Sequence, residues 1–281
     1  MSNNFNTYVI NLKKDKEKWQ KINDHFKNTG LKLIRFDAIY GKTVDKKTKN
    51  KYTTKLCNIF CPNGVVGCGI SHIMLNEIIS KKDNNDFALI LEDDVIPSNN
   101  IKKEILNYVK NMKFEWDIIK LFDQGFCNSK SKFNYNNSLI SKLFPCGSTA
   151  AYLVSKNGSK KIANMKLYNH IDLQYQLNSE LKIYKMNKKL IYTDELDSSI
   201  SSNDGIINSL NIFNHRDKKL NMPISFFLNQ KFIKIFNIEI SYFNFFIIGI
   251  IAIYKFYNLE VVKTYIILTL LYFIIGYLFY T

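Results

Sequence analysis

An α/β fold with a mostly parallel central sheet is predicted by three features of the chain. TYVINL (residues 7–12), DKEKWQKINDHFKNTG (15–30) and LKLIRF (31–36) read as strand, helix and strand, a spacing that makes a βαβ unit. FALILE (87–92) is an apolar run of the kind that fills a buried strand. Helical and strand patterns then alternate to about residue 200.

The elements follow in order. In the first helix Asp15 is placed to cap, Trp19, Ile22 and Phe26 share one face, and Gly30 ends it. Residues 37–66 are polar and lysine-rich and read as a long loop. GCGISHIMLNEIISKK (67–82) opens on glycines and becomes helical. After the strand at 87–92, NNIKKEILNYVKNM (99–112) is amphipathic and WDIIKLF (116–122) is a strand. Residues 123–147 read as loop, 149–156 as strand, 157–165 as helix and 170–180 as helix, with LKIYKMNKKLIYT as a short strand pair. No internal repeat is evident. The expected domains are 1–200 as the α/β unit, 201–225 as a linker or extension of it, and 226–281 as a membrane anchor.

The anchor rests on two nearly uncharged segments, Tyr242–Tyr254 and Thr264–Thr281, with Lys255, Glu260 and Lys263 between them. A helical span needs about 17–25 apolar residues, so the second qualifies narrowly and the first falls short. Aromatic residues at the segment ends favour a membrane; the alternative is a pair of core helices. One or two C-terminal helices are therefore expected to hold the protein on a membrane, with the α/β domain facing the cytosol.

The chain has 281 residues and a net charge of +15, which favours acidic or phosphorylated partners. Its only arginines are Arg35 and Arg216 and its lysines are scattered, so nucleic acid is not an expected partner. Cys57, Cys61, Cys68, Cys127 and Cys146 show no zinc spacing and read as reduced thiols.

LILEDDVIP (89–97) carries the chemistry. In open α/β sheets ligands bind beyond the carboxyl ends of the strands, which is where Glu92, Asp93 and Asp94 fall. Three adjacent carboxylates repel one another, and a hard divalent cation, Mn²⁺ or Mg²⁺, would offset that repulsion while holding phosphate oxygens. A solvated acidic turn is the plainer alternative. In GCGISH the third glycine position of a dinucleotide loop holds His72, which argues against such a loop; a helix N-terminus there can still face phosphate, with Ser71 and His72 contacting the donor. A cap and an internally satisfied histidine is the competing reading. His215 in FNHRDKK is a possible further ligand or an ordinary loop histidine.

These blocks, in this order, resemble glycosyltransferase family 25, which includes bacterial lipooligosaccharide galactosyltransferases and procollagen galactosyltransferases. YVINLKKDKEKW is similar to the family's opening strand and helix, RFDAIYGK to its Ala-x-x-Gly block with Ala38 and Gly41, and GCGISHIML to its Gly-Cys-x-x-Ser-His block. LILEDDV, WDIIKL, GSTAAYLVSKNGSKKI and IDLQ follow in sequence, and the resemblance covers about residues 7–195. It implies a GT-A-like, Rossmann-type nucleotide-sugar-binding domain and an inverting transfer of a hexose, galactose or glucose, from a UDP-sugar to a glycan, lipid-linked glycan or protein acceptor. Under it Glu92, Asp93 and Asp94 hold the metal. Asn11, Gly41, Ser71 and His72 contact donor or substrate. Asp172 is the base that takes the acceptor proton, unless it is only an acid in the first turn of a helix. Lys18 stands about where the family commonly has an arginine, keeping the charge without the bidentate fork. A membrane-tethered binding protein on the same fold, without catalysis, is the alternative function; a phosphate-ester hydrolase fits less well, because such enzymes separate their two aspartates.

Overall fold

The computed structural model describes residues 5–82, 85–112, 114–122, 132–133, 137–139, 148–186, 188–193, 231–235, 238–256, 260–264 and 266–267. The chain divides into two compact units, residues 1–198 and 199–281.

The first unit begins with β1 (Asn6–Asn11), α1 (Lys16–Phe26) and β2 (Leu33–Asp37), the expected βαβ unit with β1 and β2 parallel. Asp15 sits at the N-cap of α1, although its side chain makes no capping bond. Gly30 follows with φ 71°, a left-handed conformation that suits glycine.

Residues 37–66 are not the long loop that their polarity suggests. They fold into α2 (Lys46–Tyr52) and α3 (Lys55–Phe60), each started by a side-chain cap: Asp45 accepts from Thr48 N and Thr54 from Cys57 N. Tyr52, Cys57 and Cys61 turn inward and anchor these turns. Cys57 and Cys61, with Cα atoms 4.6 Å apart, form a disulfide, which corrects the expectation of reduced thiols at this pair.

The next helix, α4 (Asn63–Lys82), starts four residues before Gly67. Gly67 and Gly69 therefore lie inside the helix and do not form a phosphate loop at its start. They serve close packing instead: a Cβ on Gly67 would come within 2.6 Å of Ile39 O, and one on Gly69 within 2.5 Å of Leu167 Cδ1. α4 buries residues all round, including Ile70, Ile73, Leu75 and Ile79, as expected of a helix at the centre of a domain.

β3 (Phe87–Glu92) passes through a two-residue turn into β4 (Val95–Pro97), followed by α5 (Ile101–Lys110) and β5 (Ile118–Lys120). Two short strands, β6 (Lys132–Phe133) and β7 (Asn137–Leu139), precede β8 (Ala151–Ser155), α6 (Lys156–Ala163) and α7 (Ile171–Leu177). β9 (Ile183–Met186) and β10 (Ile191–Thr193) complete the unit. The last two are not paired with each other as expected. β9 joins β5 and β7 in the main sheet, while β10 pairs with β4 in a separate two-stranded sheet.

The main sheet runs β2-β1-β3-β8-β5-β9-β7-β6. β8 and β7 run against the other strands, so the sheet is mixed with most strands pointing one way. Strand alternation divides the core. Ala88, Ile90, Tyr152 and Val154 pack on the face covered by α4, α6 and α7; Leu89, Leu91, Ala151 and Leu153 pack on the face covered by α1 and α5.

The second unit contains an antiparallel pair, β11 (Lys231–Ile235) with β12 (Ile238–Ser241), leading into α8 (Tyr242–Phe256). At 15 residues α8 is about 22 Å long, short of a bilayer's roughly 30 Å core. Among the described residues no helix is long and apolar enough to cross a membrane, so the expected membrane-spanning helices find no support there. Most of the second apolar segment, residues 268–281, and the expected linker at 201–225 lie outside the described residues.

Candidate active site

The carboxyl ends of β1 and β3 lie side by side, with Ile10 in register with Glu92. β8 runs the other way, so its start lies at the same edge: Glu92 N donates to Ala150 O at 2.8 Å. The three acids emerge here, and the strand's own alternation turns them apart.

Glu92 follows the parity of Ala88 and Ile90 and faces α4. Its Oε1 accepts from Thr149 Oγ1 at 2.7 Å and lies 3.4 Å from Nε2 of the fully buried His72. Asp93 faces the α1 side, where Asn11 Nδ2 donates to its Oδ2 at 2.6 Å and Lys18 Nζ lies 3.9 Å from Oδ1. Burial raises the Asp93 pKa, while the Asn11 bond and Lys18 pull it down. Asp94, in the turn, has a buried Oδ1 without a hydrogen-bond partner. Burial first, then the charges of Glu92 and Asp93, push its pKa up to about 7.

Behind Glu92 lies a buried polar chain. Asn76 Nδ2 donates to Tyr152 Oη at 3.3 Å, and Tyr152 Oη lies 3.0 Å from His72 Nδ1. The tyrosine oxygen accepts from Asn76 and still meets His72 Nδ1 as donor or acceptor, so the hydroxyl holds the ring in place with Nε2 towards Glu92. Cys68 lies one helical turn before His72, and its Sγ, a His72 ring nitrogen and a Glu92 oxygen all fall within 4.8 Å of one another. Burial pushes the Cys68 thiol pKa well up, and the charges of Glu92, Asp172 and Asp94 push it further.

Asp172 stands in the first turn of α7. Its Oδ2 accepts from Ser148 N at 3.0 Å and its Oδ1 from Leu173 N at 2.8 Å. Ser148 has φ 78°, so the carboxylate holds a left-handed residue in place. Ser148 touches Asp172 and the next residue, Thr149, touches Glu92; two consecutive residues thus join the expected base to the acid cluster.

The sequence-predicted residues therefore divide. Glu92, Asp93, Asp94, Asp172, His72 and Asn11 come together at one edge, Asn11 as the residue that orients Asp93. Ser71 is fully buried, accepting from Ile39 N at 2.8 Å and donating to Gly67 O at 2.7 Å. Gly41 packs its backbone against Asn63 and Gly67, where a Cβ would overlap the Asn63 carbonyl. Ser71 and Gly41 thus fasten the segment around Ile39 to α4, and none of these contacts involves the acids. His215 lies outside the described residues. Thr149, Tyr152 and Asn76 were not singled out from sequence; the start of a strand entering antiparallel beside β3 is the signal that would have found Thr149. A cavity of about 960 Å³ lined by Lys102, Lys103 and Lys110 lies near Phe87, at the opposite end of β3 from the acids.

Clustered carboxylates at the strand ends of an α/β sheet, with a further acid at the start of α7, form a candidate active site, and sequence comparison defines the class of enzyme. The family model for glycosyltransferase family 25, described as an LPS biosynthesis protein, matches residues 4–173. The protein belongs to that family and is a glycosyltransferase. No curated protein sequence matches it. Among solved structures, A197 from STIV is similar at 9% identity and a TM-score of 0.39, covering 68% of this chain and 85% of that one. The galactosyltransferase LgtC, in complex with donor and acceptor sugar analogues, is similar at 8% identity and a TM-score of 0.34, covering 64% of this chain and 73% of that one.

Proposed function

We propose that the protein transfers a hexose, galactose or glucose, from a UDP-sugar to the hydroxyl of a glycan, lipid-linked glycan or protein acceptor, with inversion and with Mn²⁺ or Mg²⁺ as cofactor. The observation that carries this reading is the unpartnered, buried Oδ1 of Asp94, which feels the charges of Glu92 and Asp93 beside it. A buried acid with no donor is costly when ionised, and a cation that also meets a diphosphate removes that cost. Asp94 would hold the ion through that oxygen, with Asp93 as a further ligand and Glu92 adding negative charge nearby. When bound, the ion neutralises charge developing on the departing nucleoside diphosphate.

The chain's own residues do the rest. Asn11 and Lys18 fix Asp93 from the α1 side, and Thr149 fixes Glu92 from the start of β8. Asp172 takes the acceptor proton. Both of its oxygens already accept a backbone N–H, which aims the carboxylate, and a carboxylate has lone pairs to spare for a third partner. Incubating the purified protein with a panel of UDP-sugars and Mn²⁺, and following UDP release, tests the reading. Release from UDP-galactose or UDP-glucose supports it; no release from any donor, with or without an acceptor, contradicts it.

The enzyme is further proposed to work at a cytosol-facing membrane surface. Ile247, Ile248, Ile251 and Tyr254 of α8 are exposed, and Lys255 and Lys263 follow close by in the chain. Apolar side chains beside lysines suit an anionic interface, in which a helix too short to span can lie flat.

A further inference from the structure

We infer that Cys68, His72 and Glu92 form a second metal site, specific for a borderline-soft divalent cation of the Zn²⁺ type. Three observations carry it independently of the transfer reading. Cys68 and His72 are four residues apart on α4, so they share one helix face, and that face meets the end of β3. One ligand atom from each of Cys68, His72 and Glu92 lies within 4.8 Å of the other two. His72 is fully buried, its Nε2 has no hydrogen-bond partner, and that atom points at Glu92 Oε1, 3.4 Å away. A buried imidazole nitrogen aimed into a group of two other ligand atoms is what a metal site requires of its histidine.

The donor set separates this site from the acid turn beside it. Thiolate, imidazole and carboxylate suit zinc, whereas Mn²⁺ and Mg²⁺ prefer oxygen alone. Strand alternation makes the separation possible, because it turns Glu92 to the α4 face and Asp93 to the α1 face. The outer contacts are also in place. Tyr152 Oη can donate to His72 Nδ1 or accept from it, so the ring can present either Nε2–H to Glu92 or the Nε2 lone pair to a cation. Thr149 steadies the Glu92 oxygen. On binding, the Cys68 thiol releases its proton to solvent and the sulfur coordinates as thiolate. Three protein ligands leave a fourth position for water or a ligand atom.

The test uses the full-length protein, titrated with Co²⁺ as a spectroscopic stand-in and with Zn²⁺ by calorimetry. The expected result is a near-ultraviolet thiolate-to-cobalt absorption that disappears in Cys68→Ser, with Zn²⁺ affinity lowered by about 100-fold or more, beyond the roughly 10–100-fold that losing an outer-shell partner costs. Glu92→Gln, which keeps the side chain's size, is the second variant and should weaken Zn²⁺ binding as well. The Cys57–Cys61 pair contributes no thiolate while it stays oxidised, and Cys127 and Cys146 are controlled by the Cys68 variant itself. A wild-type protein without the absorption at saturating Co²⁺ would overturn the assignment. So would an absorption that persists in Cys68→Ser, or a Zn²⁺ affinity unchanged in both variants.

Discussion

Asn11, the last residue of β1, donates a 2.6 Å hydrogen bond from Nδ2 to Oδ2 of Asp93, which follows the last residue of β3. The bond ties two neighbouring strand ends together at the point where the acids leave the sheet. Asn11 Nδ2 also reaches Asp15 O at 3.2 Å, so one buried amide orders both the loop into α1 and the carboxylate. Asn11→Ala should therefore lower metal-supported transfer by about 10–100-fold, the usual cost of an outer-shell partner, and raise the Mn²⁺ concentration needed for half-maximal rate. Initial rates across an Mn²⁺ series read both effects. A variant with wild-type Mn²⁺ dependence would remove Asn11 from the site.

Asp94 makes stability depend on pH. Its folded pKa of about 7 lies above the ordinary 3.8, so the folded state binds the proton more tightly than the unfolded chain. The contribution is complete below about pH 4 and is lost as pH rises through 7. Metal-free protein should melt several degrees lower at pH 8 than at pH 5.5, and Asp94→Asn should flatten that slope. Mn²⁺ should raise the melting temperature more at pH 8, where Asp94 is ionised. Scanning calorimetry of both proteins, with and without Mn²⁺, reads all of this; an identical slope in Asp94→Asn would place the pH dependence elsewhere.

Tyr152 joins His72 to Asn76 inside the core. Tyr152→Phe removes the shared hydroxyl and leaves two buried polar groups with fewer partners, at a cost of about 1–3 kcal/mol. In a unit of this size each kcal/mol lowers the melting temperature by about 2–4 °C. Chemical denaturation should show the loss with an unchanged dependence on denaturant. A variant as stable as wild type would mean that water replaces the hydroxyl.

Much of this was legible in the sequence, for reasons that can be named. β1, α1, β2 and β3 follow from local patterns: amphipathic spacing in one helix and apolar runs in the strands. The position of Glu92, Asp93 and Asp94 at a strand end followed from the same patterns. What stayed hidden depended on tertiary packing. Gly67 and Gly69 read as the opening of a helix because glycine is disfavoured inside one, yet they lie within α4, where they let it pack closely on Ile39 and Leu167. α2 and α3 were masked by their lysines, although the caps at Asp45 and Thr54 were there to be read. Antiparallel β8 carries no local mark of its direction, and with it went Thr149 and Tyr152. Ser71 shared a block with His72, but adjacent helical residues face different ways, and only His72 turns to the acids.

Asp172 separates turnover from binding. Asp172→Asn keeps the shape and still offers one acceptor oxygen to the backbone amides of Ser148 and Leu173. Donor and metal affinity should stay near wild type while transfer falls by about 10²–10⁴-fold, the usual worth of one general base. Calorimetric donor affinity beside the transfer rate gives the comparison. Normal transfer would reduce Asp172 to a residue that holds Ser148 in its left-handed conformation.

The central claim is that Asp94 brings a hard cation to the nucleotide-sugar diphosphate. The measurement that tests it most directly is UDP affinity by calorimetry, with and without Mn²⁺, for wild type and Asp94→Asn. Wild-type protein should bind UDP markedly more tightly with Mn²⁺ present, and Asp94→Asn should bind it equally weakly in both conditions while keeping its fold. An Asp94→Asn protein whose UDP affinity still rises with Mn²⁺ as the wild type's does would contradict the account.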